Sequence, residues 1–177
     1  MQQLTLYTIG HGQRESEAFI DLLLAEEITT LVDIRSNPVS HFNESLLRND
    51  LDAAGIVYYW AGKPLGGLRQ GWNDSPNYAL QDHYLRAFAD YMMTSAFAQA
   101  AMQLNNLMRR GRTVIMGSEL RPEQCHRSLI ADYLALQGMT ILHIIDAGVI
   151  VEHYLRSEAR KESAALIYDR LVETSLT

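Results

Sequence analysis

The segment LTLYTIGHGQRESEAFIDLLLAEEITTLVDIR, residues 4–35, contains two strand patterns separated by a helical pattern. Leu4–Ile9 is apolar or β-branched and ends at the turn-forming Gly10-His11-Gly12, which indicates a strand. Ser16–Glu27 carries apolar side chains at helical spacing, with acidic residues between them. Thr30–Ile34 is again short and apolar. A strand, a helix and a second strand in this order favour a parallel β-α-β unit.

The same alternation continues along the chain. Further strands are predicted at Ile56–Trp60, Thr113–Met116 and Thr140–Ile145. Helices are predicted at Asn43–Ala54, within Gln81–Arg110, at Glu123–Gln137 and at 158–173. The second of these is expected to break near Thr94-Ser95. This pattern predicts an α/β fold, a three-layer sandwich in which a mostly parallel sheet of about five strands is flanked by helices. No linker divides the sequence, so we expect a single domain over residues 1–177, with its core at about 5–152 and a C-terminal helix at 158–173.

Composition narrows the class of protein. Lys and Arg total 15 against 21 Asp and Glu, which gives a formal net charge of −6. An acidic chain is not expected to bind nucleic acid through bulk charge, although a local basic groove stays open as an alternative. The single cysteine, Cys125, excludes an internal disulfide and with it a disulfide-stapled secreted domain. We find no apolar run near the ~20 residues of a membrane span and no signal-peptide pattern, so we expect a cytoplasmic protein that does not bind membranes.

Polar residues follow several of the predicted strands. His11 comes after the first strand, Asp33 and Arg35 close the second, and Glu119 follows the fourth. Ligands of open parallel sheets bind beyond the carboxyl ends of the strands. We therefore expect His11, Arg35 and Glu119 to lie at the same edge of one sheet.

His11 and Arg35 each have two interpretations. Between two glycines, His11 is either a general acid or base or a polar turn residue. Arg35 is suited to bidentate capture of a phosphate or a carboxylate. It points to the same side of its strand as Asp33, so an internal ion pair between the two is the alternative.

A third group of polar residues lies at the predicted start of a helix near Pro122. Cys125, His126 and Arg127 follow this proline. A helix N-terminus favours anions and lowers the pKa of a thiol, which would make Cys125 reactive. Cys125 also lies four residues before Leu129 on the inward face, so a partly buried, inert thiol is the alternative, and we expect that one. The spacing does not match a zinc site, and no metal is expected.

The aperiodic segment 61–77 contains the pair Gly66-Gly67 with basic residues on both sides. The backbone amides of such a loop can wrap a phosphate, and a plain mobile loop is the alternative. Trp72 and Tyr78 would either stack on a base or pack the loop down.

Together these pieces resemble the bacterial and archaeal family called domain of unknown function four-eight-eight (DUF488), from Thr8 to about Glu152. The matching pieces are Thr8-Ile9-Gly10-His11, Asp33-Ile34-Arg35 with Pro38 and Ser40, Tyr58, Leu65-Gly66-Gly67, and Glu119 with Cys125-His126-Arg127. The resemblance implies a compact α/β domain and no particular activity. Family members often carry Cys-Ala-Glu where this chain has Gly117-Ser118-Glu119, so a two-cysteine redox or metal site is not available here.

These residues support two functions. The first is an enzyme that acts on a phosphate-bearing or nucleotide-like substrate. Its candidate catalytic residues are His11, Glu119, Cys125 and His126, and its candidate ligand-binding residues are Asp33, Arg35, Ser40, Gly66, Gly67 and Arg127. The second is a non-catalytic module that senses a nucleotide or nucleic acid through the same arginines. The sequence specifies neither a cofactor nor an oligomeric state.

Overall fold

The computed structural model describes residues 3–39 and 42–171. Its strands are β1 (Thr5–Gly10), β2 (Thr30–Asp33), β3 (Val57–Trp60), β4 (Thr113–Gly117), β5 (Thr140–Asp146), β6 (Val149–Glu152), β7 (Ala159–Glu162) and β8 (Ala165–Tyr168). Its helices are α1 (Ser16–Ala25), α2 (Glu44–Ala53), α3 (Gly62–Leu65), α4 (His83–Met92), α5 (Ser95–Arg110) and α6 (Arg127–Ala135). The strands and helices alternate through most of the chain, as the sequence predicts.

The central sheet has the strand order β3-β2-β4-β1-β5-β6. The first five of these strands are parallel to one another, and β6 pairs antiparallel with β5 at the edge. The predicted α/β class with a mostly parallel sheet is confirmed. The edge strand β6 was not predicted from the sequence, because Val149–Glu152 is short and largely exposed.

Helices cover the sheet on both faces and form two apolar cores. Leu6 of β1 packs in one core with Phe88 of α4 and Leu129 of α6. Its neighbour Tyr7 points to the opposite face and packs there with Phe19 of α1. Parallel strands buried on both faces explain why these segments are continuous apolar runs. In the described ranges, we find no helix that is both long and apolar enough to cross a membrane.

Capping side chains set the predicted helix boundaries. The Leu46 backbone amide donates to the Asn43 side chain at 3.1 Å, so α2 begins where the sequence predicts. The Phe97 amide donates to the Thr94 hydroxyl at 3.3 Å, which starts α5 at the predicted break between two helices. Gly55, just past the end of α2, has a φ of +76°, a conformation that glycine adopts without strain.

The predicted C-terminal helix at 158–173 is wrong. This part of the chain forms an antiparallel hairpin, β7–β8, through residue 168, and the end of the predicted helix, 172–173, lies outside the described residues. Tyr168 is fully buried, its hydroxyl donates to Asp132 of α6 at 2.8 Å, and its amide donates to the Asn77 side chain at 3.0 Å. These long-range contacts outweigh the local helical pattern, which is a weak preference by comparison.

Candidate functional site

The strands β1, β2 and β4 end at the same edge of the sheet. Gly10 is level with Gly117, and Asp33 is level with Met116. The His11 amide continues the ladder by donating to the Gly117 carbonyl at 3.0 Å. His11, Arg35 and Glu119 therefore follow strand ends at one edge, as the parallel arrangement predicts.

Arg35 and Asp33 form a buried ion pair at this edge. Arg35 Nε donates to Asp33 Oδ1 at 2.9 Å, and Nη2 donates to Oδ2 at 2.7 Å. The Tyr58 hydroxyl also donates to Oδ2, at 2.7 Å, and its pKa is raised by burial and by the Asp33 carboxylate. Arg35 Nη2 further donates to the Phe42 carbonyl at 2.7 Å. Of the two interpretations from the sequence, the internal ion pair is the one the structure contains.

Both ring nitrogens of His11 are engaged by the protein. Nδ1 lies 2.9 Å from the Gly12 carbonyl and therefore donates to it. Nε2 lies 3.2 Å from Arg35 Nη1 and accepts from it. The imidazole also stacks on Phe42 with ring centroids 4.8 Å apart. His11 is thus tied to the Asp33–Arg35 pair and holds the turn after β1.

A cleft of about 170 Å³ opens at the edge beside this ion pair. Its lining residues come from the turn after β2, from the loop before α4, from the first turn of α4, and from the chain between the end of β4 and the start of α6. They are Arg35, Ser36, Asn37, Leu68, Tyr84, Gly117, Ser118, Glu119 and His126. The predicted site residues Arg35, Glu119 and His126 meet here, whereas Ser40 lies outside the described residues.

The helix predicted at Glu123–Gln137 is divided. A short 3₁₀ turn, Pro122–Gln124, comes first, and α6 begins only at Arg127. Cys125 lies at this junction and is 1% exposed. Burial raises the pKa of its thiol to about 11, although the neighbouring Arg127 acts in the opposite direction. The structure therefore contains a buried neutral thiol and not a thiolate at a helix N-terminus.

We expect Cys125 to react slowly with a small alkylating reagent in the native protein at neutral pH. The raised pKa alone lowers the thiolate population about a hundredfold relative to an ordinary cysteine, and burial slows access further. Mass-spectrometric alkylation rates of native and denatured protein measure this ratio. Equal rates in the two states would contradict the buried thiol.

His126 is also held in its neutral form. Its Nε2 donates to the Leu65 carbonyl at 2.9 Å, and its ring packs edge-on against Phe88 at 4.8 Å. Burial lowers the pKa of His126 to about 4. Its Nδ1 keeps a lone pair and lies 3.7 Å from Cys125 Sγ, so the thiol can donate to it.

Arg127 differs from Arg35 because the protein leaves most of its guanidinium unused. The side chain is 1% exposed, and its Nη2 donates to the Leu120 carbonyl at 3.0 Å. Within the described ranges, Nε and Nη1 have no hydrogen-bond partner, and no carboxylate lies within 4.0 Å of the guanidinium. An ion pair between Glu119 and Arg127, comparable to the Asp33–Arg35 pair, is therefore absent from the described residues.

Gly117 marks the point where three functional groups converge. A β-carbon at this position would lie 2.7 Å from Cys125 Sγ, 3.3 Å from Arg127 Nη1 and 3.7 Å from Glu119 Oε2. A thiol, a cation and a carboxylate thus surround one small space beside the cleft. The sequence placed Glu119 after a strand and Cys125 and Arg127 near a helix start, but it could not show that all three face the same glycine.

In the 61–77 loop, Gly66 and Gly67 are needed for close packing. A β-carbon at Gly67 would lie 2.6 Å from the Tyr84 hydroxyl and 2.7 Å from His126 Nδ1, and one at Gly66 would clash with the Gly62 carbonyl. Arg69 anchors the loop, since its guanidinium donates to the Gly66 carbonyl and lies 3.5 Å from the centre of the Tyr91 ring. Gly66 and Gly67 are buried in this packing, and Leu68 beside them lines the cleft.

Tyr84 is a lining residue that sequence reasoning missed. Tyr84 lies at the start of α4, and its pKa is raised by burial and then by the Glu119 carboxylate. The aromatic residues singled out from the sequence, Trp72 and Tyr78, are exposed and do not line the cleft. Local sequence carries no signal for Tyr84, because the fold of the 61–77 loop brings α4 to the edge.

Comparison with known proteins identifies a family and nothing more specific. The family model described as domain of unknown function DUF488 matches residues 15–134. No curated protein and no solved structure matches the chain significantly. The matched range includes Arg35, Glu119 and the Cys125-His126-Arg127 segment, and it ends before β5. The match confirms the resemblance found in the sequence: the chain belongs to the family of the domain of unknown function DUF488.

Proposed function

We propose that the cleft binds a small anion, the phosphate of a phosphate-bearing or nucleotide-like ligand, and that Arg127, whose Nη1 lies next to the cleft-lining Gly117, supplies the positive charge. The observation that carries this proposal is the pair of unpartnered nitrogens, Nε and Nη1, on a guanidinium that is 1% exposed. A buried charge without a partner is costly, and a bound anion would compensate it. Arg35 has its own carboxylate and therefore supports the wall of the cleft.

The size of the cleft indicates which part of a ligand would enter. Its volume of about 170 Å³ is below the ~300 Å³ at which pockets for drug-sized molecules begin. A phosphate-sized group fits this space, and the rest of a larger ligand would lie at the mouth. Leu68 and Tyr84 are 58% and 42% exposed there and offer an apolar and an aromatic surface.

An enzyme is the function that we favour, because acid–base groups surround the same space. Glu119 offers a carboxylate that can orient a nucleophile or accept a proton. His126 is neutral and presents Nδ1 as a second acceptor. Cys125 rests as the thiol, so it is a candidate nucleophile only if Nδ1 of His126 takes the thiol proton during the reaction.

A non-catalytic binding module is the second candidate function, and a specific observation favours it. The thiol of Cys125 is protonated and buried, and the Nε2 of His126 is already bound to the Leu65 carbonyl. Neither group rests in a reactive form. Incubation with nucleoside phosphates distinguishes the two functions: a released product supports the enzyme, and a retained, unchanged ligand supports the module.

The Arg127→Met variant tests anion binding. Inorganic phosphate, sulfate or a nucleoside monophosphate at a hundredfold excess over its Kd should stabilise the wild type by ~2.7 kcal/mol. Methionine removes the buried charge at similar volume, so the variant should lose this gain while its ligand-free form becomes more stable, by about 1–4 kcal/mol. Chemical denaturation with and without each anion at low salt measures both effects.

Arg112→Met is the matched control, because Arg112 is half-exposed and pairs with Glu27 at the surface. It should keep the full response to anions. Wild-type unfolding that does not respond to any of the three anions at millimolar concentration would refute the proposed function.

A further inference from the structure

A second cavity, of about 760 Å³, lies between α1 and the β5–β6 hairpin. Its floor is apolar, with Leu22 of α1, Ile144 of β5 and Ile150 of β6. Leu120, which is 47% exposed, closes one end. We call this cavity the α1–β6 groove. It takes no part in the proposed anion site, since no residue lines both cavities.

The α1–β6 groove is a gap in one layer of the sandwich. On the opposite face of the sheet, α6 packs over the β5 side, and Ile141 joins the core there. On this face, Ile150 of the edge strand stays half-buried and packs only at the margin of the core. A layer of this fold is normally completed by a helix, so the shape of the gap favours a helical occupant.

The wall formed by α1 fits the same occupant. Ala18, Leu22 and Ala25 are spaced four and three residues apart, so they form one stripe along the helix facing the groove. The two alanines are exposed and small, which permits a second helix to approach to the usual ~8–10 Å between helix axes.

Four carboxylates form the rim of the groove, and they favour a positively charged occupant. They are Glu15, Asp21, Glu26 and Asp146. Within the described ranges, none of them makes an ion pair within 4.0 Å. The one basic residue of the lining, Arg14, directs its guanidinium at the backbone carbonyls of Gly10 and Ile145.

We propose that the α1–β6 groove docks a cationic amphipathic helix of a partner protein. The apolar floor would bury the apolar face of that helix, and the acidic rim would pair with its basic residues. A second copy of this chain is disfavoured as the occupant, because a symmetric contact would bring two acidic rims of a chain with net charge −6 together.

A labelled leucine–lysine amphipathic peptide of about 18 residues, or five helical turns, is the probe. Fluorescence anisotropy should show binding to the wild type, and binding should weaken as salt is added. The double variant Asp21→Lys/Glu26→Lys should bind it at least about tenfold more weakly, because two rim charges are reversed. A serine–lysine peptide of equal charge should not bind, because it lacks the apolar face.

The control variant is Glu17→Lys/Asp74→Lys, which makes the same change in net charge at exposed positions outside the groove. An equal loss of affinity in the two double variants would overturn the proposal, because bulk charge would then explain binding. So would binding of the serine–lysine peptide, or a wild-type dimer that Asp21→Lys/Glu26→Lys converts to monomers. The last result would identify a second copy as the occupant.

Discussion

Replacing Asp33 by asparagine is expected to lower the free energy of unfolding by about 3–5 kcal/mol. The Asp33 carboxylate is fully buried and accepts from the backbone amide, Nε and Nη2 of Arg35 and from the Tyr58 hydroxyl. Asparagine has the same shape but carries no charge, so it leaves the Arg35 guanidinium, 6% exposed, without its counter-ion. The NH2 group of asparagine would also face hydrogen-bond donors at a position that requires an acceptor.

Equilibrium chemical denaturation at neutral pH measures this loss. Glu44→Gln is the control, because the Glu44–Arg48 pair is an exposed i,i+4 contact worth no more than ~0.5 kcal/mol. The double variant Asp33→Leu/Arg35→Met should be more stable than Asp33→Asn, since it removes both charges. A loss below ~1 kcal/mol for Asp33→Asn would show that the pair contributes little to the fold.

Acid should destabilise the protein strongly between pH 6.5 and pH 4, and two buried histidines are the cause. Burial lowers the pKa of His126 to about 4, and burial, His153 and Arg127 lower the pKa of His143 to about 3. Both side chains stay neutral in the folded protein, whereas in the unfolded chain each takes up a proton near its ordinary pKa of ~6.5. Their contribution is therefore complete above pH 6.5 and is lost as the pH falls.

His143 also lies inside a hydrogen-bonded chain between the sheet and α6. Thr8 Oγ1 lies 2.6 Å from His143 Nδ1, and His143 Nε2 lies 2.9 Å from His153 Nδ1. His153 Nε2 donates to Asp132 Oδ1 at 2.8 Å. A proton on His143 would replace the acceptor that Thr8 uses, so it would disrupt this chain as well as bury a charge.

The expected loss in the free energy of unfolding between pH 7.5 and pH 4.5 is about 5 kcal/mol from the two histidines together. Denaturation curves at a series of pH values measure it. His126→Gln and His143→Gln should each reduce the dependence on pH by roughly half of this amount. His83→Gln is the control, because His83 is exposed. An unchanged pH dependence in both buried-histidine variants would contradict the assignment.

The sequence by itself determined the α/β class and the parallel strands of the central sheet, although not the order in which they lie. Leu4–Ile9 and Thr30–Ile34 form strands because runs of apolar and β-branched residues of this length suit the interior of a parallel sheet. Asn43 and Thr94 begin helices because their side chains accept from amides only a few residues away. The meeting of His11, Arg35 and Glu119 at one edge follows from the same alternation, since parallel strands all end on that side.

Only the tertiary structure decided which arginine pairs with a carboxylate and which secondary structure the C-terminal segment adopts. The sequence offered Arg35 and Arg127 as equal ligands for an anion, but Asp33 neutralises the first and no described carboxylate pairs with the second. The pairing depends on which side chains the folded chain brings within about 4 Å, and that distance is not encoded in spacing. Residues 159–168 form a hairpin and not a helix for the same reason. Tyr168 gains buried partners on α6 and beside α4, and these long-range contacts exceed the small differences in local propensity between helix and strand.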